Sequence, residues 1–387
     1  MLRWLTAGES HGPMLTAVID GLPAGLPVDA DSLARALGRR QSGYGRGRRM
    51  EIEADRAEIV GGVRGGRTTG GPVSLLIRNR DWPNWEQVMR VDAGAAADPV
   101  TRPRPGHADL AGSQKYGLAD LRDVLERASA RETAARVALA AVAAALLDAV
   151  GATVRSHVLS IGDVATSALT WGEVDDEWLA AAERSPVRCG DAAAAERMMA
   201  AIDAAKAAGD TLGGTFAVLA DGLPPGLGAY AEADRRLDAR LASAVMSIPA
   251  IKGVEIGPAF ENAGRPGSAV HDPILPGPDG PRRSANRAGG IEGGVSTGGR
   301  IAVRAAMKPI ASLGKGLPSI DLATGQAAPP AEHRADVCAV PAAAVVAEAA
   351  VTLVLADELL IKFGGDCLAD FLHNYRGYIA SLRRDAR

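Results

Sequence analysis

Strands and helices mixed along one chain, with the strands gathered into two similar sheets, form the fold class these residues predict. Three observations carry it. Asp20-Gly21-Leu22-Pro23 and Asp221-Gly222-Leu223-Pro224 are identical tetrapeptides offset by 201 residues. Each follows a strand-like run and precedes a short helix, so a duplication with a pseudo-two-fold fits better than chance identity. The run Ser129-Ala130-Arg131-Glu132 reads as a capping box ahead of an Ala, Leu and Val helix that stops at Gly151. The apolar stretch Pro341 to Phe363 starts on a favourable first-turn proline and ends at Gly364. Glu348, Asp357 and Glu358 interrupt it, so it predicts a buried core or subunit-interface helix rather than a membrane span.

The elements follow in order. Leu2 to Thr6 and Met14 to Ile19 are strands, joined by the loop Gly8-Glu9-Ser10-His11-Gly12. Its Ser and His can both face a ligand. Adjacent residues do not make a nucleophile–base pair, and a structural loop histidine is the alternative. A helix over Asp31 to Leu37, capped by Asp31, leads into Arg39 to Arg49, where five arginines stand among three glycines. Two uses suit that loop: a lid over a multiply charged anion, or a solvated or RNA-contacting arm. Met50 to Arg78 favours strands, with alternation at Met50 and Ile52 and a turn at Arg64-Gly65-Gly66-Arg67. Asp81 to Asp98, with Trp82 and Trp85, is a loop or lid. His107 lies in a loop stiffened by Pro103, Pro105 and Gly106.

The helix start at Ser129 carries unpaired N–H groups and the positive end of the dipole, with Arg127 and Arg131 flanking it. It is either an anion site or an ordinary surface helix with solvated arginines. Residues 152–163 read as strand, Asp191 to Ala208 as a helix stopped by Gly209, and Asp234 to Met246 as another helix. A hairpin-like turn stands at Pro276 to Gly280. The glycine pairs Gly289-Gly290 and Gly293-Gly294 suggest a backbone nest for a phosphate or a flat ring. Arg300 to Met307 is a strand that runs into Lys308-Pro309-Ile310-Ala311-Ser312.

Composition sets bounds. With 387 residues and 47% hydrophobic content the chain can bury a large core. Only 4% is aromatic and the net charge is -3, which argues against a nucleic-acid binder. Cys189, Cys338 and Cys367 are widely spaced without metal-ligand pairing, which suits a reducing compartment and implies no metal site. The start of the chain has no secretory pattern.

Taken together, several pieces are far more specific than any one. Gly8-Glu9-Ser10-His11-Gly12, Arg104-Pro105-Gly106-His107-Ala108-Asp109, Arg127-Ala128-Ser129-Ala130-Arg131-Glu132-Thr133, Gly209-Asp210-Thr211-Leu212-Gly213-Gly214, Lys252-Gly253-Val254-Glu255-Ile256-Gly257 and Arg334-Ala335-Asp336-Val337-Cys338 occur in that order. The chain thereby resembles the chorismate synthase family from Leu2 to about Tyr378. The resemblance implies an α+β fold: one domain over residues 1–387, a sandwich of helices between two antiparallel β-sheets. The pseudo-repeat halves would be about 1–200 and 201–387. It implies a cytoplasmic homotetramer with no nucleic-acid or membrane partner. The implied reaction is the 1,4-elimination of phosphate from 5-enolpyruvylshikimate 3-phosphate to give chorismate, the last step of the shikimate pathway. Reduced FMN is the implied cofactor, with NADPH as a candidate reductant.

The resemblance also implies roles. His11, with Ser10 beside it, donates a proton to the phosphate. His107 protonates reduced flavin, and Asp336 is the carboxylate near the flavin nitrogen that receives the substrate proton. Cofactor contacts fall on Arg127, Ala128, Ser129, Pro249, Ala250, Gly293, Lys308, Pro309, Ile310, Ala311, Ser312 and Arg334. Substrate or NADP contacts fall on Arg40, Arg46, Arg49, Arg104 and Arg131. Pro249 departs from the Gln or Asn usual in the family, Ala128 from Ser, and Arg287 from His. The alternatives are a non-catalytic binding homologue and an Arg/Gly nucleic-acid module. The intact His11, His107 and Asp336 argue against the first, and the acidic charge against the second.

Overall fold

The computed structural model describes residues 1–47, 55–92, 99–166, 172–277, 280–330 and 336–384. Arg48, Arg49, the alternation at Met50 and Ile52, part of the Asp81 to Asp98 loop, the tip of the Pro276 to Gly280 turn and Arg334 lie outside them.

The first sheet holds β1 (Arg3–Ala7), β2 (Met14–Asp20), β3 (Ala57–Gly61) and β4 (Val73–Arg78), ordered β1-β2-β4-β3, all antiparallel. Leu15 opposes Ile77, Ala17 opposes Leu75 and Ile19 opposes Val73. All six are buried, so alternation by two puts one face of the sheet on the core. Between β3 and β4, Gly65 and Gly66 both have positive φ, as a two-residue hairpin turn needs.

The second sheet holds β5 (Thr153–Ile161), β6 (Val164–Ala165), β7 (Gly214–Asp221), β9 (Ile251–Ile256) and β12 (Ile301–Met307), ordered β9-β12-β7-β5-β6. A small third sheet joins β8 (Pro225–Gly228), β11 (Val295–Thr297) and β10 (Ile291–Glu292).

Between the two main sheets lie α1 (Ala30–Gln41), α4 (Thr133–Ala149), α7 (Leu237–Met246) and α8 (Val340–Phe363). α1 and α4 pack on the first sheet, α7 and α8 on the second, and α8 packs along α4. The order is sheet, helix, helix, sheet, which is the α+β sandwich the residues imply. Leu139 and Leu146 of α4 are fully buried, worth about 1.5–3 kcal/mol each.

α8 is a core helix. Its three acids are buried, and each meets an arginine: Glu348 binds Arg39 and Arg188, while Asp357 and Glu358 bind Arg240. Buried carboxylates persist where they are paired in this way. Among the described residues no helix is long and apolar enough to cross a membrane.

The two sheets share one chain order, β1-β2-α1-β3-β4-α4 and β5-β7-α7-β9-β12-α8. Gly21 and Gly222 occupy matching places. A Cβ on Gly21 would meet the carbonyl of Met1 at 2.6 Å, just before β1, and one on Gly222 that of Gly151 at 2.5 Å, just before β5. Both have positive φ. We read this as support for the duplication, whose boundary would then fall near Gly151 rather than Ala200.

Three local expectations are corrected. α1 is capped by Asp29, which accepts from the N–H groups of Asp31 and Ser32, and it runs on through Arg39 and Arg40 to Gln41. Arg39 is clamped by Glu183 and Glu348, and Arg40 is buried, so neither belongs to a mobile lid. The capping box is half made. Ser129 accepts from the Arg131 N–H and starts a single 3-10 turn, but Glu132 turns to Arg136. The glycine pairs are not an open nest. A Cβ on Gly289, Gly290 or Gly294 would strike Gly257, Arg300 or Ala229 backbone within 2.7 Å, so chain packs against chain there.

Candidate active site

The loop after β1 is fixed from several sides. The Asn79 side chain donates to the carbonyls of Ser10, at 3.3 Å, and Gly12, at 2.9 Å. The Ser10 N–H donates to the Glu126 carbonyl at 3.1 Å. Glu126 belongs to α3 (Arg122–Arg127), which follows α2 (Asp109–Tyr116). Its carboxylate grips His11 twice: Oε2 accepts the His11 backbone N–H at 2.7 Å, and Oε1 lies 2.8 Å from Nδ1. Trp85, on the short helical turn Trp82–Trp85, lies against the His11 ring at 3.9 Å between centroids. Ser129 Oγ donates to Ser10 Oγ at 3.1 Å. The loop, the Ser129 turn and His11 therefore form one cluster. Arg127 and Ala128 adjoin it, with Arg127 tied to the Thr6 and Gly8 carbonyls.

Behind that cluster, Arg40 donates to Thr133 Oγ1 at 2.8 Å and to the Ala130 carbonyl at 2.9 Å. Arg40 and Arg131 both face the buried Asp55, with Arg131 hydrogen-bonded to it. Two guanidiniums meet at this one described acid, and guanidinium forks of this kind are the donors that receive phosphate or carboxylate.

A second cluster surrounds His107. Its Nδ1 lies 2.5 Å from Asp109 Oδ1, and Arg104 binds the same carboxylate through its backbone N–H and its guanidinium. Burial alone would raise the Asp109 carboxyl. The hydrogen bonds from His107 and Arg104 outweigh it and hold the group well below the usual carboxylate range. Arg104 also donates to Ser312 Oγ at 2.9 Å, and Lys308 Nζ to the Gly106 carbonyl at 2.5 Å. Thus Lys308, Pro309, Ile310, Ala311 and Ser312 run beside Arg104 and His107. The Lys308 N–H donates to the Ala250 carbonyl at 3.0 Å, which brings in Pro249 and Ala250. Ala250 has φ 68, a left-handed conformation that L residues seldom take.

Asp336 is tied to Arg46 at 3.2 Å and accepts the Gly47 N–H at 2.7 Å. The segment Thr211-Leu212 links this corner to the second cluster: Thr211 Oγ1 donates to the Ile310 carbonyl and the Leu212 N–H to that of Val337. Cys338, next to it, is buried, and burial pushes its thiol up to about 11. It is therefore no nucleophile at neutral pH. Gly293 stands apart at the tip of the β10–β11 hairpin, with open space where a Cβ would lie. No described hydrogen bond links it to the Lys308 segment. His157 is buried and accepts from Trp178, while His271 and His373 are exposed away from these clusters.

Sequence reasoning missed Glu126, Asp55 and Trp85. Glu126 reaches His11 across 115 residues and Asp55 reaches Arg131 across 76, and nothing local marks such pairs. Asp109 closes the run Arg104 to Asp109, and its place two residues after His107 is a usable signal.

A family model for chorismate synthase matches residues 2–360. The chorismate synthase of Thermobifida fusca (strain YX) is 55% identical, with 99% of this chain and 99% of the relative covered. That of Acidothermus cellulolyticus (strain ATCC 43068 / DSM 8971 / 11B) is 56% identical, with the same shares covered. A solved chorismate synthase crystal structure superposes with a TM-score of 0.81 at 40% identity, covering 99% of this chain and 98% of the other. The chain belongs to the chorismate synthase family.

Proposed function

We propose that the His11 and His107 clusters bind 5-enolpyruvylshikimate 3-phosphate against reduced FMN and carry its 1,4-elimination to chorismate and phosphate. Family membership makes the chain a lyase of this reaction. The observation that best supports the residue assignment is the grouping itself. His11 sits on buried Glu126 with Arg40 and Arg131 behind its loop, and His107 sits on buried Asp109 beside Arg104 and Lys308.

The donor set fits a phosphate monoester such as FMN. Lys308, Arg104 and Ser312 converge beside Gly106, and a Cβ there would lie 3.5 Å from Lys308 Nζ and 3.6 Å from Ala311. With Arg127, Ala128, Ser129, Pro249 and Ala250 they would hold the cofactor, which moves Arg104 from the substrate or NADP contacts to the cofactor side. Gly293 and Arg334 are assigned by family resemblance alone. Reduced flavin, when bound there, would make electron density available to the allylic system. Arg40 and Arg131, pre-set by Asp55, receive the phosphate and the carboxylates of the substrate, and Arg46 and Arg49 belong to the same reading. His11 protonates the departing phosphate, with Ser10 beside it. His107 holds the proton exchanged with the cofactor, and Asp336 serves the proton that leaves the ring carbon. NADPH as reductant, a homotetramer and a cytoplasmic setting complete this reading.

The test is anaerobic turnover with chemically reduced FMN, with and without NADPH. Chorismate and phosphate should appear in equal amounts. Their absence with reduced FMN would contradict the reading, and chorismate from oxidised FMN plus NADPH alone would show self-reduction.

A further inference from the structure

Glu126 stands outside every motif that marks the family here, yet it makes two close polar contacts to His11. Its side chain is fully buried while the His11 ring is 18% exposed. Both carboxylate oxygens go to that one residue, one to the ring and one to the backbone N–H. An ionised carboxylate only accepts, so the ring nitrogen facing it, Nδ1, must carry a hydrogen. The backbone grip and the Ser10 N–H on the Glu126 carbonyl prevent the ring and the acid from drifting apart.

The other charged groups near His11 are placed differently. Arg122 lies over Trp85, 5.7 Å from its ring, and Asp81 accepts the Trp85 indole N–H. Arg127 is engaged by the Gly8 carbonyl, and Glu9 lies next to Gly12.

We propose that Glu126 is a positioning residue that fixes the His11 proton on Nδ1 and leaves Nε2 as the nitrogen that exchanges a proton with the substrate. The proposal rests on the reading of His11 as the proton donor to phosphate. In the elimination the ring C–H bond gives up its proton to a base, its electron pair goes into the new double bond, and the allylic C–O pair leaves with the phosphate oxygen. The proton on Nε2 of the imidazolium passes to that oxygen, and the ring is left neutral with its hydrogen on Nδ1. Glu126 orients the ring through both its oxygens and does not take the proton.

The experiment combines nitrogen-15 NMR of the histidine side chains with kinetics. At alkaline pH the His11 signals, assigned by their loss in His11→Ala, should report a hydrogen on Nδ1 in the wild type. In Glu126→Gln the amide can donate to Nδ1, and the hydrogen should move to Nε2. Turnover should fall on the order of 10²-fold or more while KM stays within a few-fold. In the His11→Ala background the same change should cost little, because its effect acts through the ring. A wild-type ring with its hydrogen on Nε2 overturns the proposal, even if Glu126→Gln does not fold. So does an equal cost of Glu126→Gln with and without His11. If the wild type makes no chorismate, the functional reading fails, and the NMR result still decides the role of Glu126.

Discussion

His11 and His107 are held alike and shared differently. Each ring presents Nδ1 to a buried carboxylate, and their exposures, 18% and 19%, are nearly equal. Glu126 gives both its oxygens to His11. Asp109 divides its charge between His107 and Arg104, whose guanidinium also lies 3.1 Å from His107 Nδ1. Solvent access therefore does not separate the two sites; the neighbouring cation does. His11 thus has a whole carboxylate behind it, whereas His107 shares its acid with a guanidinium.

The largest expected effect breaks both sites. His11→Ala and His107→Ala should each lower turnover by about 10² to 10⁴-fold while the fold survives, since general acid–base groups contribute that much. Circular dichroism and steady-state rates check this. Activity within a few-fold of wild type in both variants would end the proposed roles.

A smaller effect separates the acids. Asp109→Asn should weaken FMN binding, because Arg104 loses the partner that aims it at Ser312. It should also lower stability at pH 7. The Asp109 carboxyl is held below its ordinary value, so its contribution is present above the unfolded pKa of about 3.9 and fades as pH falls below it. Thermal unfolding at pH 7 and pH 3 should show a wide gap between wild type and variant that narrows at the lower pH. A gap unchanged with pH would contradict the assignment.

Limited proteolysis sharpens the boundary of the first site. Trypsin should spare the bonds after Arg39 and Arg40 in the native protein, with or without ligand, since both lie in α1 and are paired. Rapid native-state cleavage there would restore the lid. The smallest effect concerns Ala250. Ala250→Gly should relieve left-handed backbone strain worth about 1–2 kcal/mol. The unfolding midpoint should then rise by about a degree or two. A fall would show that the alanine methyl packs more usefully than its conformation costs.

Much of this was legible in the sequence. The Ala-rich α4 and the interrupted apolar α8 appeared as read, because hydrophobic period and helix-stopping glycines are local signals. The arginine run misled, because charge density looks like mobility while Arg39 and Arg40 find acids from distant segments, Glu183, Glu348 and Asp55. The glycine pairs misled because close backbone packing and anion binding both favour glycine, and only contacts with other segments, such as Gly289 on Gly257, tell them apart. His11 and His107 could be named from motifs. Their carboxylates differ in legibility: Asp109 is two residues from His107, whereas Glu126 is joined to His11 only by the fold.

In the proposed division of labour His107 serves the cofactor and His11 serves the phosphate. FMN affinity tests it most directly, measured oxidised and reduced, with and without substrate, in wild type, His107→Ala and His11→Ala. His107→Ala should weaken reduced FMN more than oxidised FMN and reduce the coupling between substrate and flavin, with each tenfold step worth about 1.4 kcal/mol. His11→Ala should leave both redox forms bound alike in the absence of substrate. An equal loss in all four conditions for His107→Ala, or the same redox bias from His11→Ala, would contradict the division of labour between the two rings.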